Sequence, residues 1–336
     1  MLVLVWLVVL AVLAVPAHAT FPGGNGRIAF TWHAGGEGFE EGPNPRLVGV
    51  FSVRPDGSGR RLIARGADQP RYSPDGRRIA FLRSFDLWVS RADGGRARRL
   101  SPEGWDVMTH QWSPRGTRLA FVRNFRKGGS AIYTVRPDGT GLTRLVKASQ
   151  PLALSSGAWS PGGKAIVYTQ QSLRALVRIV RDGRVTTLAR ASHGATWSSR
   201  GVIAYATSTP DGDRGQVCVR RADATAPDRC FAYPDASVDG PAWFPDGERL
   251  MFLSQGQGPA EIWTVRPDGT VETRAPRANV FPVLSPAGDR LAFSEMRSRN
   301  GLAFQDLFVM GLDGGGARRL VRGGQATQPD WQPLRR

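Results

Sequence analysis

Polar and apolar residues alternate through this chain in short runs, and the runs are broken by turn residues at regular intervals. The phrase Ser73-Pro74-Asp75-Gly76-Arg77-Arg78-Ile79-Ala80-Phe81 shows the pattern. An apolar or aromatic residue closes one run, a Pro-Asp-Gly turn reverses the chain, and an apolar run opens the next strand. Proline presets φ and glycine supplies the positive φ that such a turn needs. Each phrase therefore predicts a β-hairpin. The phrase recurs at 113–121, 160–168, 244–252 and 285–293, and in degenerate form at 26–30 and 197–205. A second hairpin follows each time, as in Asp86 to Gly95 with Arg99-Leu100, and again at 131–139, 261–269 and 306–314.

Two successive hairpins make a four-stranded antiparallel meander, and a meander that repeats about every 40 to 45 residues is the pattern of a propeller blade. The expected fold is all-β, a seven-bladed β-propeller forming a single domain over 20–336. The blades fall at about 27–64 plus 326–332, 68–100, 108–145, 155–188, 194–231, 240–275 and 280–320. Tyr72, Trp112, Trp159, Trp197, Trp243 and Trp331, with Leu284 in the same register, end the innermost strands and are expected in the apolar layer between blades. The first copy begins at its second strand, whereas the chain ends on an unaccompanied Gln328 to Pro333. The tail is expected to pair with the strand around Arg27 to Thr31, closing the ring and covering two edges that would otherwise invite aggregation.

The sequence around Trp112-Ser113-Pro114, Asp75-Gly76 and Arg78-Ile79-Ala80-Phe81, followed by Ile132-Tyr133, Asp138-Gly139 and Arg144-Leu145, resembles the propeller repeat of the TolB family. The resemblance covers essentially the whole chain after Ala19 and implies a periplasmic protein that binds other proteins. TolB places a smaller α/β domain before its propeller, and no room for one exists between Ala19 and Phe21. The Pal and Tol partners of TolB are for that reason not carried over.

The N-terminus bears on compartment. Met1 to Ala19 is an apolar run ending in Ala17-His18-Ala19, the small-x-small pattern of a secretory signal peptide. Cleavage after Ala19 and export to the periplasm or beyond are expected. Kept on the chain, the same run would be an anchor, and no Lys or Arg precedes it. Beyond it, no apolar stretch is long enough to span a bilayer.

The formal net charge is +17, almost all from arginine, since Lys127, Lys147 and Lys164 are the only lysines. Such a surface attracts anionic polymers. The arginines follow the repeat and lack a clustered stripe interleaved with aromatics, which argues against nucleic acid as a partner. The two cysteines, Cys218 and Cys230, are expected to form a disulfide across the outer strands of the fifth blade.

Candidate chemistry is sparse. Each Asp-Gly turn carries one acidic side chain, too few for calcium. His33, His110 and His193 lack the spacing of paired zinc ligands, and no G-x-S-x-G elbow occurs. No cofactor, metal or catalytic residue is assigned. What remains is a set of polar positions a few places before the anchors, where inner strands open on a central funnel: Asp68, Gln69, His110, Ser155, His193, Asp239 and Gln328. They differ from repeat to repeat, as recognition residues do. The resulting expectation is a monomeric, exported, non-catalytic scaffold that binds a protein partner or cell-envelope component through its funnel face and blade loops. An acidic-glycan or polymer module and a funnel-site lactonase or lyase are the alternatives.

Overall fold

The computed structural model describes residues 21–33, 48–154, 158–171, 175–190, 192–209, 214–222, 227–233, 237–255, 261–275, 282–299 and 302–335. The expected signal segment and Ser155 lie outside them. Every regular element among the described residues is a strand.

The turn phrase folds as its residues dictate. Gly76 N–H donates to the Ser73 carbonyl (2.8 Å), and Ser73 N–H closes the hairpin on the Arg78 carbonyl (2.9 Å). The Ser73 hydroxyl donates to Asp75 Oδ1 at 2.6 Å and accepts from Arg78 N–H at 2.9 Å. Glycine is required twice over at position 76: φ is +67°, and a Cβ there would stand 2.0 Å from the Pro333 carbonyl oxygen.

The strands form five four-stranded antiparallel sheets and one eight-stranded sheet. In one of the five, Ala67–Tyr72, Arg78–Arg83, Asp86–Arg91 and Arg98–Arg99 pair in sequence order. The inner strands of the other four are Asp106–Trp112, Leu152–Ala153, Ser192–Trp197 and Ser237–Trp243. The eight-stranded sheet is two meanders. One runs Val283–Leu284, Arg290–Arg299, Leu302–Gly311, Arg318–Val321, and the other runs Gln325–Leu334, Gly24–His33, Val48–Val53, Arg61–Arg65. They meet in one parallel pairing, Gln305 with Gln325. In the second meander the tail pairs antiparallel with the first strand, Gly24 opposite Leu334 through His33 opposite Gln325.

The apolar core lies between consecutive meanders. Ala80, Leu87 and Leu100 of one pack with Val107, Trp112 and Tyr133 of the next. Ile28, Phe30 and Trp331 pack with Val283, Leu307 and Val309, linking the first meander to the last. Within a meander the second and third strands present a facing aromatic pair: Phe30 with Phe51, Phe121 with Tyr133, Phe293 with Phe308. Their ring centroids lie 6.2, 5.6 and 5.5 Å apart. At the corresponding position of the fifth meander Tyr205 faces Cys218, and Cys218 is joined to Cys230 on the outer strand. The disulfide stands where an aromatic stack stands elsewhere.

Inner strands carry one feature that simple alternation does not announce. The pairing slips between Asp68 and Arg71, His193 and Thr196, Asp239 and Ala242, and, where the tail meets the first strand, between Thr327 and Asp330. Gln69, Gly194, Gly240 and Gln328 there have φ between 50° and 63°. These are β-bulges, which bend the strand and re-aim the side chains that follow.

Candidate functional site

The inner strands converge on a cavity of about 340 Å³ walled by Tyr72, Trp112, Trp159, Trp197, Trp243 and Trp331. These are the repeat anchors, and three of them bond to the preceding meander. Trp112 Nε1 donates to the Arg71 carbonyl (3.0 Å), Trp159 Nε1 to the Gln111 carbonyl (3.3 Å), and Trp331 Nε1 to the Val283 carbonyl (3.2 Å). Each acceptor is the residue just before the anchor of the preceding meander. The rings that hold the sheets together are thus also the wall of the cavity.

Positions just before the anchors give the wall its polarity: Arg71, Gln111 and Asp330 line it, together with Ala158. Asp330 is buried, and its Oδ2 accepts the Tyr72 backbone N–H at 2.7 Å. Burial pushes this carboxyl up to about 7, opposed by the Arg71 guanidinium and the Tyr72 N–H. Arg71 Nη1 donates to the Pro70 carbonyl at 2.9 Å, and burial lowers its pKa against the field of Asp330. The mouth is formed by turn residues Pro114, Pro161, Ser198, Ser199 and Pro245, and by Phe21 and Pro22. An apolar, aromatic concavity with a few convergent polar groups suits recognition of a small or extended ligand.

Of the polar positions singled out from the sequence, Asp68, Gln69, His110 and Gln328 are not among the residues that line this cavity. The Gln69 N–H donates to Thr31 Oγ1 and to Gln328 Oε1, each at 3.1 Å, and Thr31 Oγ1 donates to Gln328 Oε1 at 2.9 Å. That triad joins the first two meanders. Burial raises the Asp68 carboxyl to about 6. His110 is buried, and desolvation and Arg71 push its pKa down to about 3, with the Ala80 backbone opposing, so the ring is neutral at pH 7. His193 and Asp239 are described through their backbones, which pair with Ala206 and Leu253. Ser155 is outside the described residues.

Sequence reasoning assigned the anchors to inter-blade packing alone and did not see them as a wall. The available signal was the residue before each anchor. That position holds Ala158, Thr196, Ala242 and Val283 in four repeats, but Arg71 and Asp330 in two others. Among the described residues no group of three His, Cys, Asp or Glu side chains is placed to hold a metal ion. Guanidinium groups do stack on aromatic rings: Arg123 lies 4.0 Å from the Trp105 centroid, Arg83 4.9 Å from Trp88, and Arg274 3.9 Å from Trp263. These arginines are therefore paired with aromatics in space, although no such pattern shows in the sequence.

No family model matches the chain. An uncharacterized protein of Agrobacterium fabrum is 27% identical over 282 residues, 79% of this chain and 81% of the relative. A Tol-Pal system protein TolB of Anaeromyxobacter dehalogenans is 37% identical over 83 residues, 24% of this chain and 18% of that protein. A protein TolB homolog of Chlorobium luteolum is 36% identical over 177 residues, and the matched stretch is 38% of its length. Among solved structures, TolB from Acinetobacter baumannii superposes with a TM-score of 0.54 at 15% identity, covering 92% of this chain and 67% of that one. The β-propeller domain of the Trilobed protease from Pyrococcus furiosus gives 0.66 at 13% identity, covering 91% and 98%. Puromycin hydrolase gives 0.67 at 14% identity, and the match spans 54% of that chain. Such propellers thus occur in hydrolases as well as in TolB. On its repeats, its sheets and these likenesses, the chain is a TolB-like β-propeller protein.

Proposed function

We propose that the chain is an exported, non-catalytic binding propeller that recognises a protein partner at its central cavity. The observation that carries this reading is the cavity itself, ringed by anchor tryptophans and holding the buried pair Arg71 and Asp330. The charged pair is engaged: Asp330 Oδ2 with the Tyr72 N–H, Arg71 Nη1 with the Pro70 carbonyl. They lend polarity and shape to the wall, and aromatic surface supplies the contact area.

In this reading the meanders are seven blades of one domain spanning residues 20–336. The tail supplies the inner strand of the first blade, supported by the pairing of Gln325–Leu334 with Gly24–His33. Removal of residues 1–19 on export belongs to the same proposal. The polar rim is a secondary contact, because Gln69 and Gln328 are held in a junction with Thr31.

The test is to fill the cavity. Gln111 is half-buried in its wall. Gln111→Trp should abolish capture of the same envelope protein that wild type and Gln111→Ala retain, as read by quantitative mass spectrometry. Equal capture by Gln111→Trp sinks the assignment. The arginine–aromatic stacks favour a second reading, binding of an acidic glycan. That reading requires retention on an acidic envelope polymer to fall steeply as salt rises.

A further inference from the structure

The cavity is already partly filled by the chain itself. Phe21 and Pro22 line it, and Phe21 packs on the cluster that contains Trp112, Leu119 and Phe121. That cluster belongs to the second and third meanders, whereas the strand following Phe21, Gly24–His33, pairs within the first. The segment therefore reaches across the mouth.

Three hydrogen bonds aim it there. The Gly23 N–H donates to the Pro286 carbonyl at 3.2 Å. Asn25 Nδ2 donates to Asp289 Oδ1 at 2.8 Å, and Asn25 Oδ1 accepts the Ala287 N–H at 3.0 Å. A Cβ at position 23 would come within 2.6 Å of the Leu334 carbonyl oxygen, so glycine lets the segment lie flat on the tail. The clamp fixes the chain at 23–25 and sets the two residues before it, as an arm, against the cavity. Phe21 is half-buried against the wall, and Pro22, next to the clamp, is exposed.

The chemistry of the arm matches the wall. Proline docks on aromatic surfaces at little cost in conformational entropy, and an aromatic ring finds edge or offset contacts among indoles. We propose that the cavity is a binding site for a short aromatic–proline peptide segment presented by a protein partner, with Phe21–Pro22 as its resident competitor. This rests on the cavity being the recognition site. A tethered occupant lowers the apparent affinity for any incoming segment by the fraction of time that the cavity stands open.

The probe is an acetylated, amidated peptide copy of residues 20–23, Thr-Phe-Pro-Gly, titrated into the full chain. Tryptophan emission and isothermal calorimetry provide the readouts. Phe21→Ala removes the competitor and leaves the clamp at 23–25 untouched; its melting temperature reports that the ring is intact. The peptide should bind Phe21→Ala about tenfold more tightly than wild type, and should not bind Phe21→Ala combined with Gln111→Trp. Equal affinity for wild type and Phe21→Ala overturns the competitor, leaving the recognition reading in place. No binding to Phe21→Ala overturns the peptide chemistry, again independently of whether the cavity captures the envelope protein.

Discussion

Replacing Trp331 with alanine probes the junction on which the ring reading depends. Trp331 is 1% exposed, packs with Ile28, Phe30, Val283 and Leu307, and donates from Nε1 to the Val283 carbonyl at 3.2 Å. It therefore couples the tail strand to both the first and the last meander. Truncating a buried tryptophan to alanine costs about 3–5 kcal/mol, the sum of lost transfer energy and the cavity left behind. Unfolding entropy near 2.1 cal/mol/K per residue amounts to roughly 0.7 kcal/mol/K for 336 residues. A loss of ~4 kcal/mol then lowers Tm by about 6 °C. Trp331→Phe separates packing from hydrogen bonding. It keeps most of the ring and leaves the Val283 carbonyl unpaired, at a cost of ~1–2 kcal/mol or about 2 °C. Scanning calorimetry on the three proteins reads both shifts. A Trp331→Ala protein melting within 1 °C of wild type would refute the reasoning, because the tail would then contribute nothing to the ring.

Asp330 has a folded pKa of about 7, above the unfolded carboxylate value near 3.9. The folded state therefore binds its proton more tightly, and its contribution is fully present below pH 4 and lost as pH rises toward 7. In urea titrations the stability of wild type relative to Asp330→Asn should shrink by about 2–4 kcal/mol between pH 4 and pH 8, and a gap independent of pH would contradict the burial. Replacing Cys218 and Cys230 together by serine opens a link with a sequence separation of 12. It should cost ~2–3 kcal/mol, lowering Tm by about 4 °C, whereas an unchanged Tm would show that the bond does not form. Gly76→Ala sets a Cβ 2.0 Å from the Pro333 carbonyl at φ +67°, whereas Gly183→Ala, at φ +75°, meets nothing within 4 Å. Strain alone costs ~1 kcal/mol, so Gly76→Ala should melt several degrees below Gly183→Ala. Equal melting would mean that the tail does not lie on that turn.

The strands were legible because turn chemistry and alternation agree at each repeat. Ser73-Pro74-Asp75-Gly76 needs a positive φ at its glycine, and the apolar residues after it bury against a neighbouring sheet. The pairing of the tail with the first strand followed from an unpaired strand pattern at each end of the chain. The bulges at Gln69 and Gln328 were not legible, because glutamine carries no local preference for φ near 50°; the Thr31 junction imposes it. The cavity was missed for a related reason. An anchor such as Trp112 reads as core by its composition, and only the packing in three dimensions shows that one indole can seal two sheets and wall a cavity together. His110, placed among the funnel positions on its polarity, is 3% exposed.

The central claim is that a partner enters the cavity at the turn face of the ring, and site-specific photo-crosslinking tests it most directly. Pro161 is exposed and lines the mouth, whereas Val185 is exposed on Arg184–Arg190, the outermost strand of its sheet. A photoreactive residue at 161, irradiated in cells that export the protein, should give one discrete protein adduct, and the same residue at 185 should give none. Adducts from 185 and none from 161 would contradict the account.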